Sequence, residues 1–322
     1  MGRIAVAYND DADLKPHLNE IERVGEEEVL DCASESAEIL GAEMVPVRHN
    51  VDAALQRLRE FDIVVDFCEG VLGNPQFEKS FALALEMIGV AHTSCDPIAV
   101  ALCTDKILVK RLLQAAGLPT PRGYASPRDA PLPGTYIVKP ALEDAGIGID
   151  CHAVVSSRAD LEARCAYVRE TYEQPALIEE FIEGRELNQA IYCRRLLPVG
   201  EVVFAEHLAT TERVVGWKAK WANGSAEDLA TTNRTPARVD AATRDEIARI
   251  CLTAVELLGA DMSVRFDLRQ QSQTGVIYIV DINPNPDLGL GSGFRKALDA
   301  AHILFSEFLE DLIIAACARR SR

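Results

Sequence analysis

The chain has 322 residues, with 33 Lys and Arg against 50 Asp and Glu, and so a formal net charge of −17. A hydrophobic share of 48% with 15 Pro and 20 Gly excludes a small stapled scaffold, a collagenous chain and a largely disordered one. The negative charge repels phosphate backbones and anionic lipid, and no apolar run approaches the ~20 residues of a membrane helix, so neither nucleic acid nor a membrane is an expected partner.

In chain order, a short apolar strand over 3–8 leads into a helix over 22–40, with Val24, Val29, Ala33, Ala37 and Leu40 near helical spacing and Gly41 as its stop. A strand over 44–47, a helix over 51–60, a strand over 63–67 and a helix ending at Met87 continue the alternation, which predicts a small parallel sheet. A further strand and a turn at Asp96-Pro97 close a first domain, 1–96. Thr104-Asp105 caps a helix to Ala116, stopped by Gly117-Leu-Pro-Thr-Pro121. A strand over 135–139, a loop Glu143-Asp-Ala-Gly-Ile-Gly148, a helix over 157–171 and a strand over 176–182 make a middle domain, 97–185.

The last domain, 186–322, opens with antiparallel strands over 187–193 and 201–208. A polar stretch over 210–236 follows, long enough to be a functional loop. Asp240 caps a helix to Leu258, two strands over 262–268 and 276–282 form a hairpin turning near Thr274, and a helix over 302–317 ends the fold. The N-terminus lacks the basic and long apolar regions of a signal peptide, and Val6 stands where a myristoylation motif has Ser or Thr, which points to the cytoplasm. The nine cysteines are scattered without a C-x-x-C pair and read as reduced core thiols; the six His show no zinc spacing.

The hairpin carries the sharpest chemistry. If opposed residue numbers sum to 548, Asp267 faces Asp281 and Arg265 faces Asn283, and period two puts all four side chains on one face. The even positions Val264, Phe266, Leu268, Tyr278, Val280 and Ile282 then form the apolar face. Two opposed carboxylates repel, and Asp, Asp and Asn make an all-oxygen set suited to Mg2+. A solvated polar face neutralised by Arg265 is the alternative. Lys106 at a helix start and Lys139 at a strand end are each either phosphate ligands or ordinary solvated lysines.

Taken in order, these pieces resemble the ATP-grasp superfamily and, within it, the D-alanine:D-alanine ligase group. The matching stretches are Asp105-Lys106, Ile137-Val-Lys-Pro140, Leu177-Ile-Glu-Glu-Phe-Ile-Glu-Gly-Arg-Glu186, Lys218-Ala-Lys-Trp221, Arg265-Phe-Asp267 and Asp281-Ile-Asn-Pro-Asn-Pro286. The resemblance implies an ATP-grasp fold, a parallel α/β domain followed by two α+β domains that hold ATP between them. It implies an ADP-forming carboxylate-amine ligase working through an acyl phosphate, with ATP and Mg2+ as cofactors (two ions, Mn2+ as a substitute), amino acids as substrates and a homodimer as assembly.

By resemblance, Lys106 and Lys139 contact the nucleotide phosphates, Glu179, Glu180, Phe181 and Ile182 line the adenine pocket, and Glu186 holds the ribose. Lys220, in a mobile 210–236, reaches the transferring phosphate, Asp267, Asp281 and Asn283 hold magnesium, and Arg265 stabilises the acyl phosphate. Glu26 is either the group that meets a substrate ammonium or a solvated helix carboxylate, and Ser292 either binds a substrate carboxylate or is a plain turn serine. The departures bear on substrate. The family's Gly-Glu-Asp-Gly is replaced by Leu72-Gly-Asn-Pro-Gln76, its loop serines by Ala145 and Gly146, a Glu by Asp281, and Asn-Thr-Ser-Pro-Gly by Asn283-Pro-Asn-Pro-Asp287. A true D-alanine:D-alanine ligase with a variant pocket and a non-catalytic ATP-binding regulator are the two other readings.

Overall fold

A computed structural model describes residues 2–10, 24–144, 146–222 and 224–320; the side chains of 24–27 and of 221 are left aside with the rest. Three sheets organise the described chain. The first has the order β2-β1-β3-β4, from strands β1 (Ile4–Asn9), β2 (Glu43–Val47), β3 (Ile63–Asp66) and β4 (Ala91–His92), all parallel as the alternation predicts. Strands buried on both faces read as continuous apolar runs, and here period two divides β1 between two cores. Ile4 and Val6 face the side of helix α1 (Val24–Leu40); Ala5 and Ala7 join Ala54 and Leu58 of α2 (Val51–Leu58) and Phe81 and Leu85 of α3 (Glu78–Met87).

A helix absent from the sequence reading follows, α4 (Pro97–Thr104), capped by Asp96, which accepts from the Ile98 N–H at 2.8 Å. Asp105, with extended backbone, separates it from α5 (Lys106–Ala115) and caps that helix by accepting from Ile107 and Leu108 N–H. So Thr104 closes one helix and Asp105 opens the next, where a single capped start was expected.

The middle sheet is antiparallel, ordered β5-β8-β6-β7 from β5 (Gly123–Tyr124), β6 (Tyr136–Pro140), β7 (Val154–Val155) and β8 (Ala176–Glu180). Tyr136, Val138 and Ile178 pack on α6 (Arg158–Tyr172) through Leu161, Cys165 and Val168. The opposite face carries Lys139 and Glu179, because Ile137 pairs with Glu179 and Lys139 lies two residues on from Ile137.

The third sheet is antiparallel, ordered β12-β11-β9-β13-β14 with β10 beside β9, from β9 (Gly184–Tyr192), β10 (Arg195–Leu196), β11 (Gly200–Phe204), β12 (Thr231–Arg234), β13 (Ser263–Gln271) and β14 (Ile277–Asn283). Helices α9 (Ala241–Leu258), α10 (Gly293–Ala300) and α11 (Phe305–Arg320) contribute to one core with it; α11 also packs on β3 and β4 and ties the last sheet to the first. Gly259 ends α9 in the left-handed region at φ 73, as its position after Leu258 predicts. The polar stretch 210–236 holds two short helices, α7 (Trp217–Trp221) and α8 (Ala226–Leu229), and strand β12.

Of the nine cysteines, six are buried as expected. Cys193 is half-buried, and Cys151 and Cys317 are exposed, a correction to the reading of all nine as core thiols. Among the described residues no helix is long and apolar enough to cross a membrane.

Candidate functional site

The hairpin register holds where the chemistry lies: Arg265 faces Asn283, Phe266 faces Ile282 and Asp267 faces Asp281. Beyond Asp267 the register shifts, Leu268 pairing with Ile279, so Val280 is the extra residue of a β-bulge. The bulge corrects the expected apolar face. Val264, Phe266, Leu268 and Ile282 are buried as predicted, but Ile277 and Ile279 take the core positions assigned to Tyr278 and Val280, and Val280 turns to a cleft. One inserted residue inverts the alternation for the rest of the strand.

The cleft has a cavity volume of about 460 Å³ and lies between the middle and third sheets, with the first sheet's loops closing one end. Lys106, Lys139, Glu179, Glu180, Phe181, Ile182, Glu186, Lys220, Arg265, Asp267, Asp281, Asn283 and Ser292 all line it. Of the sequence-predicted residues, Glu26 alone lies outside the described side chains.

The cations reach the cleft from different elements. Lys106, on the first turn of α5, binds both carboxylate oxygens of Asp281 at 2.9 and 2.8 Å. Lys139 meets Glu179 Oε2 at 2.9 Å and donates to the Val280 carbonyl at 3.4 Å. Arg265 makes a two-pronged contact with Asp267, Nε to Oδ1 at 2.8 Å and Nη2 to Oδ2 at 3.1 Å. Burial acts to raise the Asp281 carboxyl, but Lys106 and Lys139 outweigh it and hold it well below the carboxylate range. Lys139 is disfavoured as a charge by burial, and Glu179 and Asp281 more than compensate, so its pKa rises. Lys220, from α7, is lowered by burial and by Arg265 nearby.

Glu186, the predicted ribose ligand, is raised by burial, against which Arg269 acts from 2.7 Å. The Arg269 guanidinium also donates to the Arg213 carbonyl and lies 5.3 Å from the Phe181 ring centroid, so it connects Arg213 to the wall of the cleft that carries Phe181 and Glu186. Glycines make the approach of that segment possible. A Cβ on Gly216 would lie 2.3 Å from the Ile149 carbonyl oxygen, and one on Gly146 3.0 Å from the Gly216 carbonyl carbon. The loop 143–148 and the start of α7 are thus in backbone contact.

Ser292 is the N-cap of α10, accepting from the Arg295 N–H at 3.1 Å, and it also lines the cleft. Sequence reasoning missed Glu28, Glu69, Glu78, Asp144, Asn188, Arg269 and Asp287, which also line the cleft. Glu28 had a signal in the Glu26-Glu27-Glu28 run, whereas Asn188 comes opposite Asp267 only through the β9–β13 pairing. Glu78 had none; burial, with Asp144 and Glu69 near it, drives its carboxyl well above the ordinary range.

Asp267, Asp281 and Asn283 form the candidate magnesium site. Among the described residues no group of three His, Cys, Asp or Glu forms a metal cluster. Two opposed Asp and an Asn are nonetheless the set Mg2+ takes beside phosphates, since it keeps waters and phosphate oxygens for the remaining positions. Asn283 Oδ1 accepts the Asn285 N–H at 2.9 Å, which orients the amide oxygen. The residues fit the ion.

Comparison with known proteins places the chain. Residues 131–314 match the family model described as D-ala D-ala ligase C-terminus, more than half of the chain. The chain belongs to the D-alanine–D-alanine ligase family. A D-alanine–D-alanine ligase from Desulforudis audaxviator is 30% identical over 302 residues, covering 89% of this chain and 92% of that one. The fold is that of a D-alanine–D-alanine ligase from Bacillus anthracis complexed with ATP, at TM-score 0.75 and 19% identity over 100% of this chain and 99% of that one. It is also that of the VanG D-Ala:D-Ser ligase from Enterococcus faecalis, at TM-score 0.70 and 16% identity over 98% of this chain and all 100% of the other. The ATP-grasp architecture expected from the sequence is therefore the fold of this chain.

Proposed function

We propose that the protein is an ATP- and Mg2+-dependent ligase that joins a carboxylate to an amine, releasing ADP and phosphate. The observation that carries this reading is the convergence in one cleft of Lys106, Lys139, Lys220 and Arg265, from four separate elements, on two opposed carboxylates. Phosphoryl transfer asks mainly for neutralisation of charge around the β- and γ-phosphates and for exclusion of water, and these residues supply the first. Asp267, Asp281 and Asn283 would hold Mg2+, which would supply neutralisation of the phosphate charge.

In this reading Lys106 and Lys139 bind phosphates as point charges, Glu179 to Ile182 border the adenine, and Glu186 takes the ribose hydroxyls. Lys220, on the segment over the cleft, follows the phosphoryl group as it moves to the substrate carboxylate. Arg265, held by Asp267, faces the developing oxyanion when the amine attacks the acyl phosphate. The contact between loops 143–148 and 215–217 keeps water from the acyl phosphate. The second Mg2+, Mn2+ as its substitute, amino-acid substrates, a homodimer and a cytoplasmic setting belong to the same proposal. The relatives named above include a D-alanine–D-alanine ligase and a D-Ala:D-Ser ligase, and of the departures from the family pattern Pro75, Gly146 and Asp287 line the cleft. D-alanine is therefore one candidate substrate among several. A non-catalytic role is not favoured, because the cations and the donor set are all present.

The test is phosphate release from ATP and Mg2+ against single and paired L- and D-amino acids and small carboxylates, with mass analysis of products. Release that requires two components, with a product mass equal to their sum less water, is the expected result. Nucleotide binding with no acceptor-dependent release across the panel would sink it.

A further inference from the structure

Lys110 is a buried cation that the reaction scheme above does not use. It lies one helical turn after Lys106 on the same face of α5, and its side chain is 5% exposed. Its Nζ is salt-bridged to Glu179 Oε1 and donates to Thr120 Oγ1 at 3.0 Å. Thr120 Oγ1 in turn donates to the Ile279 carbonyl at 2.8 Å, and the Ile279 N–H donates to the Pro119 carbonyl at 2.9 Å. Lys110 therefore touches two elements of the site at once: the strand bearing Glu179, and β14 two residues before Asp281.

The charge count gives this arrangement a consequence. Glu179 is shared, one oxygen to Lys110 and the other to Lys139. Lys106, Lys110 and Lys139 face Glu179 and Asp281, so the buried cluster keeps one net positive charge for a phosphate. Without Lys110, Glu179 would pair with Lys139 alone and the cluster would be neutral.

We propose that Lys110 is a positioning residue for the nucleotide phosphates: it occupies half of Glu179, which leaves Lys139 free to bind phosphate, and it fixes through Thr120 the strand that carries Asp281. The inference rests on the nucleotide reading of the cleft. Lys110 itself does not line the cavity; it acts through Glu179 and Thr120.

The test uses the full-length protein and calorimetric titration with two probes, ADP and adenosine, each in the presence of MgCl2. K110M is expected to weaken ADP roughly tenfold or more, the scale of removing one unit charge from a low-dielectric site, and to change adenosine less than about twofold. K110R, which keeps the charge, is expected to hold ADP affinity. In an E179Q background, adding K110M is expected to cost ADP little, because the carboxylate that Lys110 offsets is gone; this pair also serves if K110M alone does not fold. Unchanged ADP affinity in K110M, an equal loss of ADP and adenosine, or an undiminished loss in the E179Q background would each overturn the proposal while leaving the ligase reading intact. Failure of the native protein to bind either probe would instead overturn the nucleotide reading, and this inference with it.

Discussion

Arg269→Met isolates the contact between the Glu186 wall of the cleft and the segment that carries Arg213. Arg269 is 6% exposed, and its guanidinium donates to Glu186 at 2.7 Å and to the Arg213 carbonyl and lies 5.3 and 5.9 Å from the Phe181 and Phe204 ring centroids. Methionine keeps most of the packing volume, so the loss is chiefly electrostatic. Removing one partner of a buried pair costs ~3–5 kcal/mol, and the lower end applies because Glu186 lines a water-accessible cleft. We expect about 3 kcal/mol, with faster exchange around Arg213 as well.

The loss is predicted to depend on pH in a definite sense. Glu186 already titrates above its ordinary value because burial outweighs Arg269, and deleting the cation moves it further up. A carboxyl raised in the folded state favours folding below the unfolded pKa and costs stability as pH rises through the folded one. The deficit is therefore full at pH 8 and shrinks toward about pH 4, the ordinary carboxylate range. Native-state hydrogen exchange of the β13 amides, whose opening reports the third sheet, measures it at both pH values. Glu186→Gln in the same chain should recover most of the loss at pH 8. A variant within about 0.5 kcal/mol of the native protein, or a loss that the second substitution leaves unchanged, would refute the reasoning.

Phe308→Ala should destabilise the third sheet by ~3–5 kcal/mol, since its fully buried ring meets Tyr192, Phe294 and Phe305 at centroid distances of 5.1, 5.5 and 5.7 Å; urea unfolding checks this. His92 is lowered from 6.5 to about 3 by burial and by Arg319, so stability present above pH 6.5 drains away as pH falls toward 3, by about 1.4 kcal/mol per unit. His92→Gln should flatten that limb in urea midpoints taken between pH 6 and 4. Asp267→Asn should weaken Mn2+ binding in the presence of ADP, read by electron paramagnetic resonance; unaltered binding would remove Asp267 from the donor set. Lys220→Ala should lower kcat by ~10²–10³ with ADP affinity little changed, measured by phosphate release and calorimetry.

How far the sequence reached depends on the range of the interaction concerned. Local periodicity gave the parallel first sheet, the capped helix after Asp240 and the strands on either side of Thr274, because alternation and capping are settled within a few residues. The facing of Asp267 with Asp281 was expected from a simple hairpin register, but the pairs nearest the turn, Leu268–Ile279 to Gln270–Ile277, run one residue out of it, and only the bulge at Val280 brings the two carboxylates opposite each other. The family motifs supplied the roles proposed for Lys106, Lys139, Glu186 and Lys220. Tertiary structure decided the rest. Beside the bulge at Val280, Ile279 bonds through its backbone to the distant Pro119 and Thr120, and no pattern within 276–282 announced that Ile277 and Ile279, rather than Tyr278 and Val280, would face the core. Glu78, Asn188 and Asp287 come from distant segments that share a cleft only after three sheets have met. Lys110 reads in sequence as an ordinary helix lysine; folding buries it between Glu179, 69 residues away, and the loop that clamps β14. Burial then makes one shared carboxylate matter, because charges withdrawn from water are no longer screened by it.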